Sequence, residues 1–165
     1  MTPDVPTRIS YAQALAIIAS VGALARLPTE QAPLSRARGA VLAADVVAAM
    51  PLPGFDNSAM DGFALRADDA NASGQGGLLL AGEQFAGPSR ALALGEGECS
   101  RITTGAPLPS GADTVVMKED AQVRDDRVHF AAPVRQGAHV RWTGEDVAIG
   151  DTVLRAGQPL TPARL

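Results

Sequence analysis

Only one cysteine, Cys99, occurs among the 165 residues, so no internal disulfide can form, and no Cys/His cluster at metal-ligand spacing accompanies it. Zinc-site and thiol-redox readings therefore lack their ligands, and a reducing, cytoplasmic setting is expected. Basic runs are also absent. Fourteen Lys and Arg stand against 18 Asp and Glu, for a net charge of −4 and an isoelectric point near 5.1. Nucleic acid is not an expected partner, because binding it draws on clustered positive charge. No apolar stretch approaches the roughly 20 residues needed to cross a bilayer, and the opening MTPDVPTRIS lacks the charged-then-apolar order of a signal peptide. No membrane association is expected. Aromatic residues are few, 4% of the chain, against 17 glycines and 12 prolines. That balance excludes a large aromatic core and predicts a turn-rich, mainly β architecture with a few helices, packed with Val, Leu and Ala. Hydrophobic residues at 46% suffice for one ordinary core or two small ones.

What is present begins with a capping box, Ser10 followed by Gln13, ahead of Ala14, Leu15, Ile18, Val21 and Leu24 at near-helical spacing. This predicts an amphipathic helix from about Tyr11 to Ala25, packed against something apolar. Ser35 to Gly39 reads as one helical turn ended by glycine, and Val41, Leu42, Val46 and Val47 as a strand that stops before Pro51. From there to about Gly144, short apolar runs alternate with turn signals, the rhythm of a small β-rich domain. Thr114-Val115-Val116-Met117 and Arg127 to Phe130, separated by the polar Arg124-Asp125-Asp126, are expected to pair as a hairpin. Asp151 to Leu154 is β-like again.

Three polar segments carry the chemistry. In Pro51-Leu-Pro-Gly-Phe-Asp-Asn-Ser-Ala-Met-Asp-Gly-Phe-Ala64, Asp56 or Asn57 could cap backbone N–H groups while Phe55, Met60 and Phe63 fill the core. Alternatively, the loop holds Asp61 and Ser58 at a cleft edge, where a carboxylate positions water or a divalent cation. Arg101-Ile-Thr-Thr-Gly-Ala-Pro-Leu-Pro-Ser-Gly-Ala112 sets two hydroxyls beside glycines, which suits an oxyanion but equally suits a tight strand connection. Arg141-Trp-Thr-Gly-Glu-Asp146 brings a guanidinium near two acids, either as a solvated turn or as a magnesium and anion contact. His129, His139 and the Asp68-Asp69 and Asp125-Asp126 pairs read as solvated groups, Cys99 as a small buried side chain and Trp142 as core.

Taken jointly, residues 53–64, 101–116 and 144–147 resemble, in order, the hallmark segments of the molybdopterin molybdotransferase family, called MoeA in bacteria and the gephyrin E domain in animals. Ala12 to Leu15 and Val41 to Val47 are similar to that family's opening helix and first strand. The resemblance covers essentially the whole chain. It implies an elongated dimerisation domain built from residues 1–50 and 147–165, with a β-rich domain, residues 51–146, inserted between them. It also implies that the chain stops before the α/β domain, which in a partner subunit would complete the site of a homodimer.

The reaction implied is insertion of molybdate into adenylylated molybdopterin, with Mg²⁺ present and AMP released, the adenylylated substrate coming from a molybdopterin adenylyltransferase. On this chain the family motifs fall on Asp61, Thr104 and Asp146 as catalytic residues, with Asp61 and Asp146 as magnesium contacts. Glu145 matches the third motif as a cofactor-binding residue, and beside these matches Arg141 is assigned to contact with an anionic group and Ser58 to a supporting cofactor-binding role. One departure is Trp142 and Thr143, where family members often carry basic residues.

Overall fold

The computed structural model describes residues 8–24, 27–87 and 92–165. Two compact units emerge, one formed by residues 1–44 with 156–165, the other by residues 45–155. In the first, α1 (Tyr11–Leu24) starts where expected. Its capping box is closed in both directions: Gln13 N donates to Ser10 Oγ at 3.2 Å, and Ser10 N to Gln13 Oε1 at 2.8 Å. The last residue of the expected helix, Ala25, lies outside the described residues. The apolar stripe does not find the packing surface its spacing predicts, for Leu15, Ile18 and Val21 are all exposed. Ala37 is the one buried residue among those described in this unit, which offers too little apolar surface to cover a helix. The chain's two ends pair instead through backbone: Gly39 N donates to Leu160 O, Leu42 N to Gln158 O and Gly157 N to Leu42 O. The strand expected over Val41 to Val47 is broken into a single bridge, Val41 with Pro159, and a two-residue strand further on.

The second unit holds the strands: β1 (Val46–Val47), β2 (Asn57–Ser58), β3 (Gly62–Leu65), β4 (Leu78–Gln84), β5 (Glu98–Ile102), β6 (Thr114–Met117), β7 (Ala121–Arg124), β8 (Arg127–Phe130), β9 (Val140–Arg141) and β10 (Thr152–Leu154). Six of them form one mixed sheet in the order β6-β3-β5-β4-β8-β7, while β1 pairs with β10 and β2 with β9. The described chain is thus mainly β with few helices, as its composition predicts. Every residue of β3 is buried. Because side chains alternate across a strand, Phe63 and Leu65 join Leu78, Cys99, Val128 and Ala70 on one face, and Ala64 joins Ile102, Ala106, Val115 and Val140 on the other.

The hairpin forms with a different partner than expected. Strand β6 pairs with β3, and β8 pairs with β7, a segment the apolar pattern does not single out because Gln122, Val123 and Arg124 all face solvent. Asp125 (φ 47) and Asp126 (φ 61) make the two-residue turn, a left-handed pair that matches strand twist. Phe55, Met60 and Trp142 are also corrected. They are exposed at 53%, 42% and 41%, whereas Phe63 at 3% is core.

Two features hold the sheet's centre. At Gly62, an added Cβ would lie 1.9 Å from Val116 O, so β6 approaches β3 only because no side chain intervenes. The α-helix of this unit, α2 (Ala67–Ser73), has no side-chain cap from its own Arg66. A distant carboxylate serves instead, since Ala67 N donates to Asp113 Oδ1 at 2.9 Å, as does Thr114 Oγ1 at 2.7 Å, while Gln136 donates to Oδ2. Burial pushes the Asp113 pKa up, but these bonds and nearby Arg66 outweigh it and leave it lowered. A group depressed on folding contributes stability above its unfolded pKa and loses it as pH falls through the folded one. Asp113→Ala is expected to cost about 1–2 kcal/mol at pH 7 in urea unfolding, with the difference from wild type shrinking below about pH 4. Gly62→Ala is expected to cost more than about 3 kcal/mol by the same measurement, through loss of the β3–β6 pairing.

Candidate functional site

The register of the central sheet builds the site. Gly62 sits opposite Ile102 of β5 and opposite Met117 of β6. The residue before Gly62 therefore falls beside the chain that leaves β5 and the chain that leaves β6. Asp61 Oδ1 accepts from Thr104 N at 2.9 Å and from Thr104 Oγ1 at 2.8 Å, and Asp61 Oδ2 faces Lys118 Nζ at 3.8 Å. Lys118 N also donates to Asp61 O. Thr104, Asp61 and Lys118 thus stand in a row at three adjacent strand ends. They open on a shallow cleft of about 290 Å³ lined also by Met60, Met117 and Glu119. The Thr104 backbone N–H, then its hydroxyl, then Lys118 hold the Asp61 carboxyl below its ordinary value. It stays ionised until the pH falls below the usual aspartate value of about 3.9.

A second cluster lies on the turn after β9. Trp142 O accepts from Glu145 N at 3.1 Å to close the turn, and Gly144, with φ +76, supplies its left-handed residue. Arg141 Nε donates to Glu145 Oε1 at 2.7 Å and Nη2 to Asp146 Oδ2 at 2.5 Å. Glu145 Oε2 accepts from Trp142 N at 2.9 Å. The Arg141 bond, followed by that from Trp142, lowers the Glu145 pKa, and the bonds to Glu145 and Asp146 raise that of Arg141. All three side chains remain substantially exposed, so these ion pairs fix geometry more than they add stability.

The residues singled out in sequence therefore fall into two groups. Asp61 and Thr104 are brought into direct contact; Arg141, Glu145 and Asp146 form the other group. Ser58 stands apart from solvent: it is buried, and its hydroxyl donates to Met60 O at 2.6 Å and accepts from Met60 N at 3.3 Å. That arrangement closes a turn. Arg141 is already engaged by two carboxylates, whereas Lys118, which spacing alone could not bring to Asp61, is the cation facing the cleft. Only the register pairing Gly62 with Met117 reveals it.

No three Asp, Glu, His or Cys side chains converge as a metal-binding group among the described residues. Asp61 faces a lysine and Asp146 an arginine, so neither belongs to a protein cage. Such isolated carboxylates fit magnesium only where an ion is held mainly by substrate oxygens and water, a common mode for this cation. The described helices include none long and apolar enough to cross a membrane.

Residues 9–165 match the family described as "MoeA N-terminal region (domain I and II)". A Mycobacterium tuberculosis protein named molybdopterin molybdenumtransferase 2 is 46% identical over 136 residues, which is 81% of this chain and 34% of the relative. A Synechococcus elongatus molybdopterin molybdenumtransferase is 36% identical over 165 residues, 95% of this chain and 40% of its own. Among solved structures, a molybdopterin biosynthesis MoeA protein of Pyrococcus horikoshii is similar with a TM-score of 0.76 and 30% identity, over 82% of this chain and 35% of that one. The chain spans about a third of the length of most relatives it matches.

If the Thr104 hydroxyl helps hold Asp61 ionised, Thr104→Val should raise the Asp61 pKa and Thr104→Ser should not. Carboxyl NMR titration measures both, and an unchanged value in the valine variant would leave the backbone N–H and Lys118 as the determinants.

Proposed function

This chain belongs to the MoeA family, through that family's N-terminal region, and on that premise we propose that it forms one wall of a site inserting molybdate into adenylylated molybdopterin, with AMP released. The row of Thr104, Asp61 and Lys118 along one cleft is the observation that carries this reading. An ionised carboxylate, a hydroxyl and an ammonium group together suit a substrate that is anionic and must be oriented at oxygen. Lys118 attracts the anionic group, Thr104 keeps Asp61 ionised and aimed, and Asp61 positions a water or an ion carried in by substrate. Asp61 and Asp146 are the residues that would hold magnesium, each alongside substrate oxygens and water, and the ion would supply charge neutralisation at phosphate oxygens. Arg141 anchors Glu145 and Asp146 through Nε and Nη2, which leaves the rest of its five N–H donors for an anionic group. The opposite wall belongs to an α/β domain of a partner subunit in a cytoplasmic homodimer, and a molybdopterin adenylyltransferase supplies the substrate.

The test is to graft residues 9–165 in place of the matching region of a full-length relative and measure molybdenum insertion with magnesium. Asp61→Asn in that graft is expected to lower the rate by about 10²-fold. Full activity in the variant would remove Asp61 from the chemistry.

One observation favours a second role as an association module. Tyr11, Leu15, Ile18 and Val21 of α1 are exposed together, and a 14-residue helix gains most of its stability from packing. Light scattering of the chain should report a dimer that Ile18→Asp weakens; a monomer at every concentration would rule the module out.

A further inference from the structure

Five residues before Asp61 the same segment carries a second carboxylate with the same kind of partner. Asp56 Oδ1 accepts from Thr143 N at 2.7 Å and from Thr143 Oγ1 at 2.7 Å, across 87 positions of sequence. This repeats the contact of Asp61 with Thr104, in which one carboxylate oxygen takes both the backbone and hydroxyl hydrogens of a single threonine. The two clasps differ in what they hold. Asp61–Thr104 is at the cleft, whereas Thr143 sits inside the turn whose ends are Arg141, Glu145 and Asp146.

We propose that Asp56 is a positioning residue, holding the 141–146 turn in the shape that keeps Arg141 between Glu145 and Asp146, so that one short segment sets both halves of the site. This rests on the functional reading above only for its consequence in the reaction; the clasp itself is independent of it. The turn is pinned at its start by β2–β9 pairing, Asn57 opposite Arg141, and at its end by Asp146 N and Val147 N donating to Leu52 O. Between these, Gly144 N donates to Pro53 O, and Asp56 supplies the side-chain contact to Thr143. Both of its bonds are short and charge-assisted, the stronger class of hydrogen bond. The backbone of Asp56 has a separate duty, its carbonyl accepting from Leu108 N, which removal of the carboxylate leaves in place. A loss limited to the turn is therefore separable from a loss of fold.

Trp142, the only tryptophan of the chain, adjoins Thr143 and is partly exposed, so its emission reports on this turn. Asp56→Ala is expected to shift that emission and to shift the Arg141 Nε–H signal in NMR, with circular dichroism unchanged. Asp56→Asn, which keeps an acceptor oxygen, and Thr143→Ser, which keeps both donors, should preserve most of each signal. Thr143→Val should fall between. In the grafted enzyme, Asp56→Ala should lower kcat/KM by about 10–100-fold, and Asp56→Asn should restore most of it. Unchanged Trp142 emission and Arg141 signal in Asp56→Ala would overturn the proposal, as would an equal loss in Asp56→Ala and Asp56→Asn. A graft that keeps activity with Asp61→Asn while Asp56→Ala still releases the turn would instead count against the functional reading and leave the clasp standing.

Discussion

Everything in the second unit depends on one close approach, that of β6 to β3 at Gly62, where Val116 O occupies the space a Cβ would need. That approach fixes the register of three strands at once, since Gly62 is opposite both Ile102 and Met117. It buries all of β3 between two apolar faces and carries Thr104, Asp61 and Lys118 to neighbouring strand ends. A shift by one residue would turn Phe63 and Leu65 to the opposite face and send Asp61 away from both partners. The packing of the core and the geometry of the cleft are consequences of the same constraint.

The charges near the site are arranged in pairs. Asp61 meets a lysine, Arg141 meets two acids, and Asp113 caps a helix that lacks a local cap. Since the pairs at the site are exposed, their Coulombic contribution is small in water. Their role is directional, holding oxygens and nitrogens where an incoming anion would meet them. Exclusion of water by a second wall would strengthen each of these contacts, because the same charges interact more strongly in a lower dielectric.

The two units differ in how they are held. The larger one has a two-sided core, and hydrogen bonds between segments distant in sequence, such as those of Thr143 to Asp56, 87 positions away, tie its loops together. The smaller one relies on backbone pairing between the chain's ends and on a capped helix whose apolar residues face outward. The helix is apolar on more than one face, Ile17 being exposed as well as Ile18, while its burial within this unit is slight.

Much of this was readable in order along the chain. The mainly β class followed from few aromatics and many turn residues. The capping box set the first helix turn because Ser10 and Gln13 need only each other, and the buried thiol of Cys99, whose pKa burial and then Glu98 push up to about 12, followed from its apolar setting. The residues Asp61, Thr104, Arg141, Glu145 and Asp146 were legible as polar residues in glycine-rich turns, and the resemblance to the family's segments singled them out from ordinary solvated turns. Pairing was not legible. Strand β7 carries polar residues on an exposed edge, so the apolar pattern missed it and assigned β8 the wrong partner. Lys118 and Asp56 became site residues only through contacts with segments far away in sequence, and Ser58 ceased to be a ligand candidate only when its hydroxyl closed on Met60. The sequence by itself determined which elements and motif residues exist, because caps, turns and alternation act over a few residues. The tertiary structure decided which of them meet, because strand register and hydrogen bonds between distant loops are set by how the whole core packs.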